Sequence, residues 1–169
     1  ENDVLTSQGT LGTPIWRAPP IPVVAYSAYG FFDLPPAGFP VTINASVLDI
    51  TNLKAKTGLN PVGMSIASGV ITIDNVGTYL ITSQLWPIGT NITWAQATLR
   101  ENPSNNILQW VGEFKDGGGS DTFPRGTING QYILTTPIDN YQFKLSAYIA
   151  YNGGTSVTIN AGGTSLNIF

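Results

Sequence analysis

The sequence predicts an all-β domain whose strands form a sandwich or a barrel. Only 10% of the residues are charged whereas 42% are hydrophobic, a balance that favours a compact core over a disordered chain. The chain holds 19 Gly and 12 Pro and is rich in Thr, Asn and Ser, which are turn and strand formers. Short runs with strand-like alternation recur between turn residues, and no run has the period of an ordinary helix.

A length of 169 residues fits one folded domain, which here follows an arm. Residues 1–22 are predicted to be a Pro-rich arm or linker, because prolines favour extended backbone and remove hydrogen-bond donors. Trp16 is predicted to anchor this arm to its own domain or to a neighbouring subunit. Residues 23–169 contain the strand patterns of the domain. The start of the chain shows no signal-peptide pattern. Because the chain begins with Glu1 rather than Met, we expect a processed product or a C-terminal fragment of a longer protein.

The strand patterns follow one another at short spacing. The predicted strands lie near residues 23–29, 41–48, 69–74, 78–86, 93–101, 107–114, 127–135, 141–151, 155–160 and 164–169. Residues 33–38 are predicted to be a loop from their Pro and Gly content, and residues 48–53 can form one helical turn. Asn152-Gly153 predicts a tight hairpin, since a type I′ turn needs positive φ at both central residues. Residues 116–121 are predicted to be a flexible, glycine-rich loop.

Two predicted strands have no cleanly polar face. Alternation places one set of residues of strand 141–151 towards a core: Tyr141, Phe143, Leu145, Ala147, Ile149 and Tyr151. The opposite face becomes less polar towards Tyr148, and the two faces of strand 78–86 are similarly mixed. A partly apolar outer face indicates a second buried surface, which we interpret as contact between subunits.

The sequence lacks the residues of most catalytic and metal sites. It has no His and no Cys, which excludes Ser-His-Asp and Cys-His nucleophiles and typical zinc sites. Its ten Asp and Glu residues lie mostly at predicted turns, where they bond the local backbone. A calcium site between Asp116 and Asp121 is conceivable, but solvation of a loop is the better interpretation. We therefore predict no enzyme, no catalytic residue, no metal and no cofactor.

Charge and hydropathy exclude two kinds of partner. The net charge of −3 and the pI of about 4.6 show no excess of basic residues that could neutralise phosphates, so we expect no nucleic-acid binding. No apolar run approaches the roughly 20 residues that span a bilayer, so we expect no membrane insertion.

The tryptophans suggest a ligand platform. Trp110 lies in an alternating strand and is predicted to be a core residue. Trp86 and Trp94 bracket the segment 87–91, and aromatic residues beside Asn, Thr and Asp on loops are typical of carbohydrate sites. Structural packing is the alternative for both, and we consider it the stronger one. The candidates for receptor or glycan binding are Trp86, Asn91, Trp94, Asp116 and Asp121.

Several short motifs resemble one family. In residues 68–85, two β-type runs flank a tight turn, and the second run opens with Gly77-Thr78-Tyr79. An aromatic-containing strand at 23–28 precedes them, a strand pair at 130–136 and 141–149 follows, and Ser165–Phe169 closes the chain. Over most of residues 23–169 this order resembles the C1q/TNF-like jelly-roll domain.

The resemblance implies a two-sheet antiparallel jelly-roll sandwich that forms a homotrimer, with Tyr79, Ile81 and Tyr148 at the interface. Such domains cap stalks, spore filaments and phage fibres or spikes. We therefore expect a non-enzymatic head domain, extracellular or on a virion surface, whose partners are itself and a cell-surface receptor or glycan. The alternative is a purely structural capsid, fibre or spore-surface component that binds only copies of itself.

Overall fold

A computed structural model describes residues 4–6, 15–17, 28–115, 122–123, 127–152 and 157–169. The strands of these residues are β1 Val4–Thr6, β2 Ile15–Arg17, β3 Gly30–Asp33, β4 Phe39–Val41, β5 Ser46–Asp49, β6 Lys54–Ala55, β7 Met64–Ala67, β8 Val70–Ile73, β9 Gly77–Leu85, β10 Pro87–Thr90, β11 Ile92–Glu101, β12 Ile107–Lys115, β13 Thr122–Phe123, β14 Ile128–Thr136, β15 Tyr141–Tyr151, β16 Val157–Ile159 and β17 Ser165–Ile168. The described part of the chain contains one helix, the 3₁₀ turn Ala161–Gly163. The all-β prediction is confirmed.

Two antiparallel sheets form the body of the domain. The six-stranded sheet has the order β12-β11-β15-β8-β7, and β5 pairs with the second half of β15 beside β8. The five-stranded sheet has the order β14-β9-β17-β3-β6. Strands β13-β10-β16-β4 form a smaller sheet, and β1 pairs with β2. The predicted two-sheet antiparallel sandwich is therefore confirmed.

The core lies between the two main sheets, because alternate residues of each strand point inwards. The six-stranded sheet contributes Ile71, Leu99, Phe143, Leu145 and Ile149, and the five-stranded sheet contributes Phe32, Ile81, Leu85, Leu166 and Ile168. All ten side chains are almost completely buried. The inward face predicted for strand 141–151 is confirmed from Tyr141 to Ile149.

Two predicted elements differ from the structure. The strand predicted near 41–48 is divided into β4 and β5, because the chain turns between them and Ala45 has a positive φ of 51°. The helical turn predicted for residues 48–53 is wrong. Leu48 and Asp49 belong to β5 and pair with Ala147 and Ser146 of β15. The predicted strand 23–27, the Asn152-Gly153 hairpin and the loop 116–121 lie wholly or partly outside the described residues.

The prediction that Trp110 lies in the core is also wrong, since this side chain is 53% exposed. Ala97 pairs with Gly112, but the next residue, Thr98, pairs with Trp110. Val111 is therefore an extra residue in β12, a β-bulge that interrupts the alternation of side chains. Val111 takes the buried position, and Trp110 lies on the face of the sheet that points away from the core.

Candidate functional site

The outward face of the five-stranded sheet carries an exposed row of large apolar side chains, which we call the apolar row. Its members are Tyr29, Leu80, Ile133 and Phe169, which are 37–65% exposed. Leu80 of β9 lies opposite Ile133 of β14. On its other side, Leu80 exchanges two backbone hydrogen bonds with Phe169, both of 2.9 Å. Antiparallel pairing thus places residues from distant parts of the sequence side by side.

Aromatic contacts fix one end of the apolar row. The rings of Tyr29 and Phe31 have centroids 6.2 Å apart, and those of Phe31 and Phe169 are 5.6 Å apart in an edge-to-face arrangement. Ring pairs of this geometry are favourable beyond the area that they bury. These side chains therefore restrict one another, and the row is a preformed apolar surface.

A polar groove of about 490 Å³ adjoins the apolar row on the same face. Its lining is uncharged: Thr82, Ser83, Gln84, Asn129, Gly130, Gln131, Ser165 and Asn167. Asn167 donates a hydrogen bond from Nδ2 to Thr82 Oγ1 at 3.2 Å, whereas the buried Ser83 hydroxyl has no hydrogen-bond partner. The face therefore changes from apolar to neutral polar along the strands, without a charged residue in the groove.

Two of the predicted interface residues point away from this face. Tyr79 and Ile81 of β9 are only 5% and 1% exposed, and both lie in the core of their own chain. The Tyr79 hydroxyl donates a hydrogen bond to the Asn75 carbonyl at 2.8 Å. Side chains buried in this way offer no area to a neighbouring subunit, so their assignment to an interface is corrected. On β9, the residue that presents an apolar side chain outwards is Leu80.

The third predicted interface residue, Tyr148, lies on the outward face of the other sheet. Its ring meets that of Trp94 edge to face, with centroids 5.0 Å apart. On the opposite side Tyr148 pairs with the exposed Val47 of β5. Trp94 Nε1 is buried without a hydrogen-bond partner. Thus Tyr148 and Trp94, which were predicted to serve different sites, form one aromatic cluster.

The other predicted ligand residues lie apart from this cluster. Trp86 is half-buried and packs on Gly163, where an added Cβ would lie 2.3 Å from the indole Cε3. Asn91 forms the turn between β10 and β11 with a φ of 59°, and its carbonyl accepts a hydrogen bond from Asn152 N at 2.9 Å. Both residues therefore have local structural roles. Asp116 and Asp121 lie outside the described residues.

An ion pair holds β5 against β15 on the outward face of the six-stranded sheet. Lys144 Nζ lies 2.6 Å from Asp49 Oδ2, and Ser146 Oγ donates to Asp49 Oδ1 at 2.7 Å. Burial by itself would raise the pKa of Asp49. The hydrogen bonds from Lys144 and Ser146, with the charges of Lys144 and Arg100, outweigh burial and lower this pKa below its ordinary value. Asp49 therefore remains ionised at neutral pH.

The lowered pKa of Asp49 gives an expected pH dependence of stability. The unfolded chain binds the proton at a pKa of about 3.9, and the folded chain binds it only at a lower pH. The contribution of Asp49 is thus complete above about pH 4 and is lost as the pH falls through the folded-state pKa. Without His, the melting temperature is expected to be nearly constant from about pH 5 to 8.

Thermal unfolding between pH 2.5 and 8 measures this effect, with Asp49→Asn as the comparison. The variant is expected to melt at a lower temperature at pH 7 and to lose less stability than the wild type below about pH 4. Equal acid sensitivity of the two proteins would contradict the role of Asp49. Glu101, whose pKa is lowered chiefly by its hydrogen bond from Ser104, remains in both proteins.

The described residues contain no helix with the length and apolar character that a membrane crossing requires. Nor do they bring together three or more Asp, Glu, His or Cys side chains in a group that could hold a metal ion.

Comparison with known proteins gives a result for the fold alone. The sequence matches no family model and no curated protein. The TNF protein Eiger from S. frugiperda is similar in structure, with a TM-score of 0.61, 9% identity, and coverage of 83% of this chain and 89% of that one. Murine APRIL at pH 5.0 gives a TM-score of 0.55 at 11% identity, covering 83% of this chain and 96% of that one. The chain therefore has the C1q/TNF-like jelly-roll fold that its motifs predicted.

Proposed function

We propose that this chain is a non-enzymatic domain that assembles as a homotrimer at an extracellular surface and binds a receptor or a glycan there. The observation that carries the assembly is the apolar row on the outward face of the five-stranded sheet. Burial of one large apolar side chain contributes about 1.5–3 kcal/mol relative to leaving it in water. An exposed face with four such side chains favours association with copies of the same chain.

The jelly-roll resemblance supports threefold symmetry for this assembly, and closure supports a cyclic arrangement. A cyclic arrangement buries the same face of each subunit and leaves no open end on which further copies could add. The polar groove then lies within the assembly, where hydroxyl and amide groups can bond to a neighbouring subunit or retain water. Uncharged groups suit this position, because like charges of three subunits would otherwise meet near the axis.

Aspartate substitutions in the apolar row test the assembly. Leu80→Asp and Ile133→Asp are expected to reduce the particle mass from three times 18.0 kDa to 18.0 kDa, because each would place three carboxylates in an apolar contact. Ile138→Asp is the matched control, since Ile138 is 61% exposed in the turn before β15, away from the apolar row. Sedimentation velocity measures the mass, and circular dichroism checks the fold. An Ile133→Asp protein of wild-type mass would contradict the proposed interface.

Attachment to a receptor or glycan is the function that we propose for the assembled head. The Trp94–Tyr148 cluster supports it as an aromatic surface outside the apolar row, and the Pro-rich arm suits connection to a stalk, as on a virion, phage spike or fibre. The apolar row supports equally the alternative of a capsid, fibre or spore-surface component with only self-partners.

A glycan array and a pull-down from candidate host cells distinguish the attachment head from the purely structural component, because only an attachment head retains a ligand. Polysaccharide turnover that is lost on changing one carboxylate would contradict a non-enzymatic role.

A further inference from the structure

The outward face of the six-stranded sheet carries two neighbouring cations. Arg100 of β11 pairs directly with Lys144 of β15. On its other side, Arg100 pairs with Ile107 of β12. Like charges at directly opposed positions of neighbouring strands are destabilising. The chain has only seven Lys and Arg residues and a net charge of −3, so the placement of two cations here requires an explanation.

Among the described residues, the carboxylate of Asp49 is the one that neighbours this pair of cations. The two oxygens of Asp49 are occupied by Lys144 and Ser146, at 2.6 and 2.7 Å. Arg100 Nε is buried and has no hydrogen-bond partner. A buried donor of a charged group costs free energy until it finds an acceptor, and a guanidinium remains ionised at any physiological pH. The cluster therefore has one excess positive charge and one unused donor.

The surface beside Arg100 is apolar. Ile107 and Trp110 of the edge strand β12 are 41% and 53% exposed. Trp110 lies opposite Thr98, which is two residues before Arg100 and on the same face of β11. The β-bulge at Val111 is what turns Trp110 outwards. The register therefore places Trp110 and Arg100 on the same face of neighbouring strands, two residues apart along β11.

We propose that Arg100 and Trp110 form a binding site for a carboxylate-bearing sugar ring, such as a hexuronic acid unit of an acidic glycan. The two terminal Nη groups of a planar guanidinium offer parallel N–H bonds that match a carboxylate, which a Lys ammonium does not, whereas Nε of Arg100 is buried. Trp110 offers a broad apolar face to the C–H groups of the sugar ring. Asp49 attracts Arg100 through its charge, but its hydrogen bonds are with Lys144 and Ser146.

A single excess charge favours this ligand over polyanions. Nucleic acids are bound through many cations that each neutralise a phosphate, and the cluster offers one. The site specifies the chemical class of the ligand for the proposed attachment function, and the inference therefore rests on that function. It lies within one chain and on the sheet opposite the apolar row, so binding does not require assembly.

Isothermal titration with three small probes tests the site. D-glucuronate, which has both a ring and a carboxylate, is expected to bind at least tenfold more tightly than D-glucose or acetate, which each lack one of them. Arg100→Gln is expected to weaken glucuronate binding by at least about tenfold, as the loss of a charge-assisted hydrogen bond predicts. Lys54→Gln is the matched control, an exposed cation on β6 of the other sheet, and it should bind as the wild type does.

Thermal unfolding separates a ligand site from a structural one. Arg100→Gln is expected to melt close to the wild-type temperature, because relief of the repulsion from Lys144 offsets the lost attraction between Arg100 and Asp49. Lys144→Gln is expected to melt lower, because Asp49 loses its partner. Trp110→Ala, at an exposed position, should weaken glucuronate binding without a loss of stability. Equal binding of glucuronate and glucose, or full affinity in Arg100→Gln, would overturn the proposal. Glucuronate binding by monomeric Ile133→Asp would show that the site is independent of the proposed trimer.

Discussion

Replacement of Tyr79 by Ala is expected to lower the free energy of unfolding by about 3–5 kcal/mol, the usual cost of removing a large aromatic side chain from a core. Tyr79 is only 5% exposed near the start of β9, and its ring closes over Gly77, where an added Cβ would lie 2.9 Å from the Tyr79 hydroxyl. The substitution leaves a cavity and also removes the hydrogen bond to the Asn75 carbonyl.

Chemical denaturation measures this effect, and Tyr79→Phe is the matched control. The control keeps the ring and loses only the hydroxyl, so it is expected to cost about 1 kcal/mol. A Tyr79→Ala protein within about 1 kcal/mol of the wild type would show that the ring is not part of the core.

The second large effect is expected from Gly69→Ala. Gly69 lies in the turn between β7 and β8 with a φ of +75°, and an added Cβ would lie 2.1 Å from the Ile50 carbonyl oxygen. This oxygen belongs to the backbone and cannot rotate away as a side chain would. We expect a cost of about 1–2 kcal/mol for the left-handed conformation and about 1–3 kcal/mol for the overlap.

Gly58→Ala separates these two contributions. Gly58 has a similar φ of +81°, but an added Cβ would have no atom within 4 Å. It should therefore show the conformational cost alone. Equal destabilisation by the two substitutions, measured by denaturant titration, would contradict the close contact between the β7–β8 turn and Ile50.

The sequence predicted the fold well where strands are long and central. The alternation in residues 141–151 identified the buried face of β15, because this strand has neighbours on both sides and keeps its register. Alternation failed at Trp110, because the bulge at Val111 inserts one residue into β12. It failed again at Leu48–Asp49, where a four-residue strand has too few residues to show a period and is recognised only through its pairing with β15.

The candidate surfaces were harder to predict because they depend on pairing between distant residues. For β9 the pattern allows two possible buried faces, and the family resemblance implies that Tyr79 lies at an interface. Only the pairing of Leu80 with Ile133 and Phe169 identifies the outward apolar face. Similarly, Asp49 and Lys144 are 95 residues apart in the chain, so no local pattern indicates their contact.

The mass of the native particle tests the central claim, that the apolar row joins three copies of the chain. Sedimentation equilibrium at micromolar concentration measures this mass independently of particle shape. We predict a single species of three times 18.0 kDa, the mass of one chain. A stable species of 18.0 kDa over the same concentrations would show that the apolar row is exposed to solvent in the native protein, and would contradict the account.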